Sequence, residues 1–90
     1  MNIVIVGTGY VGLVTGVGFA EQGHKISFID LDSKKIEKLT NKELPFFEPG
    51  LDEYFSNEEN FNRMSFHDNY SVLNWDETDI VFICVQTPNN

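Results

Sequence analysis

The chain has 90 residues, of which 41% are hydrophobic and 22% charged, as expected of one small globular domain. Its formal net charge of −8 excludes binding to nucleic acid or to an anionic membrane surface through bulk electrostatics, and no apolar run approaches the roughly 20 residues of a membrane span. A single cysteine permits no internal disulfide, and an apolar strand pattern starts directly after Met1, where a signal peptide would need a charged region. We therefore expect a cytoplasmic protein.

A short apolar run at the start of the chain leads into a glycine-rich turn. Ile3 to Val6 are four branched apolar residues, which is typical of a strand covered on both faces. Gly7, Gly9 and Gly12 follow with the spacing G-x-G-x-x-G, and a helix is predicted from about Val11 to Gln22. In a dinucleotide-binding turn the first glycine permits the turn, the second lets the backbone approach a pyrophosphate, and the third lets helix and strand pack closely. The N-terminus of the helix would then face the phosphates.

The predicted helix contains an unusual number of small residues, namely Gly12, Thr15, Gly16 and Gly18. Each glycine lowers helix stability by about 1 kcal/mol relative to alanine, so their presence indicates close packing of this surface against the sheet. Gly23 is predicted to end the helix, because glycine readily takes the left-handed conformation found there.

The second predicted strand, Lys25 to Ile29, ends at an acidic residue. Asp30 lies close to the position, about 20 residues after the glycine turn, where an acid accepts hydrogen bonds from the adenosine ribose of a dinucleotide. The competing interpretation is a helix cap or a solvated turn, although Asp32 or Ser33 could fill the cap role equally well. A carboxylate here would repel the additional phosphate of NADP, so the sequence favours NAD.

The middle of the chain predicts a helix, an irregular connection and a third strand. Ile36 and Leu39 have the spacing of the inner face of a helix. The segment from Glu43 to Leu51 contains two prolines and a glycine, which favours a loop. Its adjacent phenylalanines either pack beneath the loop or, as the less simple alternative, meet another domain. A short helix from about Leu51 to Phe55 and a strand from Met64 to Phe66 follow.

The segment after the third strand is less regular. His67 and Asp68 lie either beside an adenine or, more simply, in a solvated turn. Tyr70 to Trp75 is interpreted as one or two helical turns, and Asp76 to Asp79 as an acidic turn.

A second fully apolar run, Ile80 to Val85, is the natural partner of the first strand in a parallel sheet. The predicted fold is therefore α/β: a Rossmann-type parallel sheet of strand order 3-2-1-4 with flanking helices. Cys84 is expected to be a buried small hydrophobe, because a nucleophilic cysteine would need a basic neighbour. Thr87 follows the carboxyl end of this strand, where ligands of such sheets bind, and its hydroxyl either touches the cofactor or lies in a plain turn.

A complete dinucleotide-binding domain needs further strands and helices to seat the nicotinamide. We therefore expect residues 1–90 to be the N-terminal part of a longer NAD-binding domain. The uncovered apolar surface of the last strand should then favour self-association of the chain.

Four segments of the sequence are informative beyond the spacing of their glycines: residues 7–16, 28–36, 45–51 and 82–88. In this order they resemble the N-terminal part of the UDP-glucose/GDP-mannose dehydrogenase family, and its UDP-glucose branch most of all. The most discriminating piece is the loop Glu48-Pro49-Gly50-Leu51, which generic NAD-binding domains lack. The resemblance implies an enzyme that oxidises the C6 alcohol of a UDP-sugar to a carboxylate with two NAD. It also implies that the 90 residues alone are inactive, because the family's catalytic cysteine lies in a later segment and Cys84 does not match it.

The resemblance implies a set of cofactor contacts as well. In this family the glycine turn, with Tyr10 and Val11, contacts NAD. Asp30 and Lys35 lie at the adenosine ribose, and Thr87 contacts the cofactor further along. A UDP-sugar would bind to a later domain, in a parent protein that forms a homo-oligomer; no metal is implied. Two alternatives remain open: another nucleotide sugar as substrate, such as GDP-mannose or UDP-N-acetylmannosamine, and a non-catalytic NAD-sensing module.

Overall fold

The computed structural model describes residues 1–71 and 73–85, which form a four-stranded parallel sheet with helices. The elements in chain order are β1 (Asn2–Val6), α1 (Tyr10–Glu21), β2 (Lys25–Ile29), α2 (Ser33–Thr40), α3 (Leu51–Ser56), α4 (Glu58–Asn62), β3 (Met64–His67), a 3-10 turn (Trp75–Glu77) and β4 (Ile80–Ile83). The strand order is β3-β2-β1-β4, which confirms the predicted Rossmann-type topology.

The main core lies between one face of the sheet and the helices. Ile5 of β1 pairs with Phe28 of β2 and with Phe82 of β4, and directly paired residues of a parallel sheet project to the same face. Phe28 stacks on Phe66 of β3, with the ring centroids 5.2 Å apart. The cluster of buried residues on this face is Ile3, Ile5, Leu13, Val17, Ala20, Ile26, Phe28, Leu39, Leu51, Phe55 and Met64. Burial of these side chains stabilises the α/β arrangement, by roughly 1.5–3 kcal/mol for each large one.

The opposite face of the sheet is much less covered. Val4, Val6 and Ile29 form a small buried cluster there, against which Leu73 packs. Ile83 of β4 pairs with Val6 and is therefore on this face, and it is 74% exposed. The last strand therefore has uncovered apolar surface, as the sequence predicts, but it ends at Ile83 rather than Val85.

The close packing predicted for α1 is confirmed at two of its glycines. A Cβ built on Gly16 would lie 2.3 Å from the Phe28 ring, and one built on Gly12 would lie 2.0 Å from the Gly7 carbonyl oxygen. Gly18 does not take part, because it is exposed and a Cβ there would meet no atom within 4 Å. The helix starts one residue earlier than predicted, at Tyr10, and Gly23 follows its end with φ +99°.

Several irregular segments differ from expectation. The helical turns predicted from Tyr70 to Trp75 are absent from the described residues of that segment, and a 3-10 turn begins only at Trp75. The sequence did not predict α4, a five-residue helix whose first turn is capped by the Asn57 side chain. Cys84 is half-buried rather than buried. Within the described chain, none of the helices combines the length and apolarity needed to cross a membrane.

Candidate functional site

The glycine turn lies at the carboxyl edge of the sheet, between β1 and α1. Gly7 has φ +101°, and a Cβ on it would lie 2.8 Å from the Cys84 carbonyl oxygen, so this position requires glycine. The Gly7 N–H donates to the Ile29 carbonyl at 2.7 Å, and the Cys84 N–H donates to the Val6 carbonyl at 2.7 Å. The turn is therefore held between β2 on one side and β4 on the other.

The N-terminus of α1 is open. Gly9 precedes the helix, no side chain among the described residues caps it, and a Cβ built on Gly9 would meet nothing within 4 Å. Tyr10 and Val11, the first two residues of the helix, are exposed. Unpaired N–H groups and the positive end of the helix dipole attract anions, so this end of α1 can receive a phosphate.

The Asp30 carboxylate connects the end of β2 to the glycine turn. One oxygen, Oδ2, accepts hydrogen bonds from the Thr8 N–H at 3.0 Å and from the Thr8 hydroxyl at 2.7 Å. The other, Oδ1, accepts from the Asp32 N–H at 2.9 Å. Because an ionised carboxylate has about four acceptor positions, Oδ1 keeps capacity for one further donor, such as a ribose hydroxyl.

Thr8 is the residue that sequence reasoning missed in this arrangement. It is fully buried, and both of its donors are satisfied by Asp30. The Asp30 carboxylate thus has a structural role in addition to the ribose or cap role considered above: it binds Thr8, which lies 22 residues away in the sequence. The helix cap belongs to Asp32, whose side chain accepts from the N–H groups of Lys34 and Lys35.

The surroundings of Asp30 favour its ionised form. Partial burial by itself raises the pKa of this carboxyl, but hydrogen bonds from Asp32 and Thr8 and the charge of Lys35 outweigh it and hold the pKa below its ordinary value. Lys35 Nζ lies 4.0 Å from Oδ2, and its side chain is half-exposed. A negative acceptor therefore persists at neutral pH.

Two cavities open at this edge. The first, about 320 Å³, is lined by Val6, Gly7, Thr8, Gly9, Ile29, Asp30, Leu31, Lys35, Tyr70, Cys84 and Val85. The second, about 370 Å³, is lined by Gly9, Tyr10, Val11, Cys84 and Val85. They share Gly9, so together they flank the open end of α1, and each has a volume at the lower end of the small-ligand range.

The structure brings most of the predicted site residues to these cavities. Gly12 is buried behind the turn and supports it, and Thr87 lies outside the described residues. Neither His67 nor Asp68 lines either cavity; the Asp68 carboxylate instead accepts from the Ser33 hydroxyl at 3.0 Å.

Leu31 and Tyr70 are further wall residues that the sequence did not single out. Both are exposed apolar side chains on the cavity that contains the Asp30 carboxylate. A leucine between two acidic residues, directly after Asp30, was the available sequence signal for Leu31, whereas no local pattern marks Tyr70. The described residues contain no group of three or more His, Cys, Asp or Glu that could hold a metal ion.

Comparison with known proteins identifies similar chains. The model of the UDP-glucose/GDP-mannose dehydrogenase family, NAD binding domain, matches residues 1–90. The UDP-glucose 6-dehydrogenase YwqF of Bacillus subtilis is 44% identical over 88 residues, which are 98% of this chain and 20% of that protein. The UDP-glucose 6-dehydrogenase of Rhizobium meliloti is 42% identical over 89 residues, 99% of this chain and 20% of that protein.

Solved structures are similar over the whole chain. A ternary complex of GDP-mannose dehydrogenase from Pseudomonas aeruginosa superposes with a TM-score of 0.85 at 34% identity, covering 100% of this chain and 20% of that one. A UDP-D-ManNAc dehydrogenase from Pyrococcus horikoshii superposes with a TM-score of 0.87 at 29% identity, covering 100% and 21%. The chain thus spans about a fifth of the length of the relatives that it matches.

Proposed function

Because the chain belongs to the UDP-glucose/GDP-mannose dehydrogenase family and forms part of its NAD-binding domain, we propose that it supplies the NAD site of a UDP-glucose 6-dehydrogenase. The reaction is the oxidation of the C6 alcohol of UDP-glucose to the carboxylate of UDP-glucuronate. NAD accepts one hydride in each of two successive oxidations. The residues that act on the sugar, and the UDP-sugar pocket, belong to the part of the parent protein outside this chain.

The observation that carries the proposal is the placement of an open helix N-terminus and an ionised carboxylate on one cavity. The N–H groups at the start of α1 receive the pyrophosphate, and Gly9 leaves the backbone accessible to it. Asp30 Oδ1 accepts from an adenosine ribose hydroxyl, while Leu31 and Tyr70 flank the adenine.

The same carboxylate explains a preference for NAD over NADP. NADP carries a phosphate on the ribose hydroxyl that Asp30 would accept from, and two negative groups at hydrogen-bond distance repel each other. Lys35 lies beside Asp30 and offsets part of this repulsion. We place Thr87 further along the cofactor, as the resemblance implies.

We further propose that the substrate of the parent protein is UDP-glucose. UDP-glucose is supported by the two relatives named UDP-glucose 6-dehydrogenase, which are 44% and 42% identical to this chain. A homo-oligomeric parent protein in the cytoplasm belongs to the same proposal. With the parent protein, UDP-glucose should support NADH formation faster than GDP-mannose or UDP-N-acetylmannosamine does. The 90-residue chain alone should produce no NADH from any of them.

The cofactor site is tested by calorimetric titration of NAD and NADP into the chain and into Asp30→Asn. Asparagine keeps the shape of the side chain but replaces the charged acceptor, so NAD affinity should fall by about tenfold and discrimination against NADP should shrink. Asp68→Asn is the matched control, because it removes the same charge from a carboxylate outside both cavities. Equal loss of NAD affinity in both variants would contradict the role given to Asp30.

A further inference from the structure

Thr8 lies between the first two glycines of the turn and is completely buried, although it belongs to the wall of the first cavity. Threonine is mostly an exposed residue, and burial of an unpaired hydroxyl costs free energy. Both donors of Thr8 instead bond to one atom, Asp30 Oδ2: the N–H at 3.0 Å and the hydroxyl at 2.7 Å. A valine has the same branched shape, so packing alone does not explain a threonine at this position.

The two oxygens of the Asp30 carboxylate have unequal surroundings. Oδ2 accepts both hydrogen bonds from Thr8, and the Lys35 Nζ lies 4.0 Å from the same oxygen. Oδ1 accepts a single bond, from the Asp32 N–H at 2.9 Å. The Asp30 side chain is 18% exposed, so a ligand in the cavity can reach it. Thr8 therefore occupies Oδ2 and leaves Oδ1 as the oxygen with free acceptor capacity.

These hydrogen bonds fix the carboxylate in one orientation. Two of the donors are backbone N–H groups, of Thr8 in the glycine turn and of Asp32 before α2. The third donor is the Thr8 hydroxyl, which makes the shortest of the three bonds. Hydrogen bonds to an ionised carboxylate are about twice as strong as bonds between neutral groups. Loss of the hydroxyl would therefore reduce the fraction of chains in which the carboxylate has the observed orientation.

We propose that Thr8 is a specificity-determining positioning residue, whose hydroxyl holds the Asp30 carboxylate so that Oδ1 is presented to the ribose of NAD. Thr8 does not touch the cofactor, because it has no exposed surface, and it acts through Asp30. The inference rests on the proposed NAD site and deepens it. It assigns the preference for NAD over NADP to a residue inside the glycine turn as well as to the carboxylate itself.

Calorimetric titration of NAD and NADP into Thr8→Val tests this role. Valine keeps the branched shape but lacks the hydroxyl, so NAD should bind roughly three- to tenfold more weakly. A carboxylate that is free to turn away repels the additional phosphate of NADP less, so discrimination between the cofactors should shrink by a similar factor. Thr8→Ser keeps the hydroxyl and should bind both cofactors like the unsubstituted chain. Thr40→Val is the matched control, because it removes a hydroxyl that donates to the Ile36 carbonyl at 2.8 Å, outside both cavities.

A second measurement examines the carboxylate without any cofactor. The Asp30 carboxyl is titrated by NMR, with Asp30→Asn identifying its signal. Hydrogen bonds from Thr8 help to hold the pKa of Asp30 below its ordinary value, so this pKa should be higher in Thr8→Val and unchanged in Thr8→Ser. Circular dichroism confirms that each variant is folded. If Thr8→Val does not fold, Thr8→Ala takes its place, since it removes the hydroxyl without adding a methyl group.

Each outcome decides the inference. Weaker NAD binding, smaller discrimination and a higher Asp30 pKa in Thr8→Val, with none of these changes in Thr8→Ser or Thr40→Val, support it. Unchanged NAD affinity or an unchanged Asp30 pKa in Thr8→Val overturns it, as does an equal loss of NAD and NADP affinity, which would indicate a general distortion of the turn. The same losses in Thr8→Ser overturn it too, because the methyl group would then matter rather than the hydroxyl. Absence of NAD binding by the unsubstituted chain would refute the proposed function, and this inference with it, even where the Asp30 titration shows that the hydrogen bond is present.

Discussion

The two faces of the sheet are made from equally apolar strands but have different surroundings. On the helix side, Ile5 and Phe28 are completely buried beneath α1 and its neighbours. On the opposite side, Val81 and Ile83 of β4 are 41% and 74% exposed, although each pairs with a buried valine of β1. An apolar strand sequence therefore does not by itself indicate which of the two faces of the strand is buried.

The covered face gives the prediction with the largest effect. Gly16 and Gly18 lie on one helix, but only Gly16 faces the sheet. Gly16→Ala would place a Cβ 2.3 Å from the ring of Phe28, which is fully buried and stacked on Phe66. Because that ring has little room to move, we expect the free energy of unfolding to fall by about 1–3 kcal/mol in a denaturant titration.

Gly18→Ala is the matched control and should act in the opposite direction. Its Cβ would meet nothing within 4 Å, so only the helix propensity changes, and stability should rise by up to about 1 kcal/mol. Effects of opposite sign cannot arise from a general effect of alanine in α1. Destabilisation by both variants would break the comparison between the two sides of this helix.

The second prediction concerns Asp30, which lies at the carboxyl ends of the strands, between the two faces of the sheet. The pKa of Asp30 is held below its ordinary value in the folded chain. Its ionised form therefore stabilises the fold above the ordinary carboxyl pKa of about 4, and this contribution is lost as pH falls through the lower folded value. At neutral pH, Asp30→Asn should have a free energy of unfolding about 1–2 kcal/mol lower than that of the unsubstituted chain. On acidification, its free energy of unfolding should fall less than that of the unsubstituted chain.

Asp68→Asn serves as the comparison, because the pKa of Asp68 is also lowered, by hydrogen bonds from Asn69 and Ser33. Asp68 is exposed, so solvent weakens its contribution and the pH profile of this variant should stay close to that of the parent. Denaturant titrations at several pH values between 7 and 3 measure both profiles. Parallel profiles for Asp30→Asn and the parent chain would exclude the Asp30–Thr8 hydrogen bonds as a source of acid sensitivity.

How far the sequence predicts this molecule depends on the range of the interactions involved. The strands, their order, the glycine turn and the irregular connection before α3 were predictable, because apolar runs and glycine or proline positions are local signals. α4 was not, since five residues are too few to show helical periodicity. The Thr8–Asp30 hydrogen bonds and the contribution of Tyr70 to the cavity wall were not predictable either. They depend on how the glycine turn, the end of β2 and the segment after β3 meet in space.

The open face gives the prediction with the smallest effect on stability. Ile83→Thr keeps a β-branched side chain but removes apolar surface that the described chain does not bury, so stability should change by less than about 0.5 kcal/mol. The same surface should drive association of the isolated chain, because exposed apolar residues on an edge strand pair readily with another copy. Sedimentation at increasing concentration should therefore show self-association of the parent chain and less of it for Ile83→Thr. If the unsubstituted chain stays monomeric at high concentration, the exposed apolar face does not cause association. The two faces would then differ only in how their side chains pack within the chain.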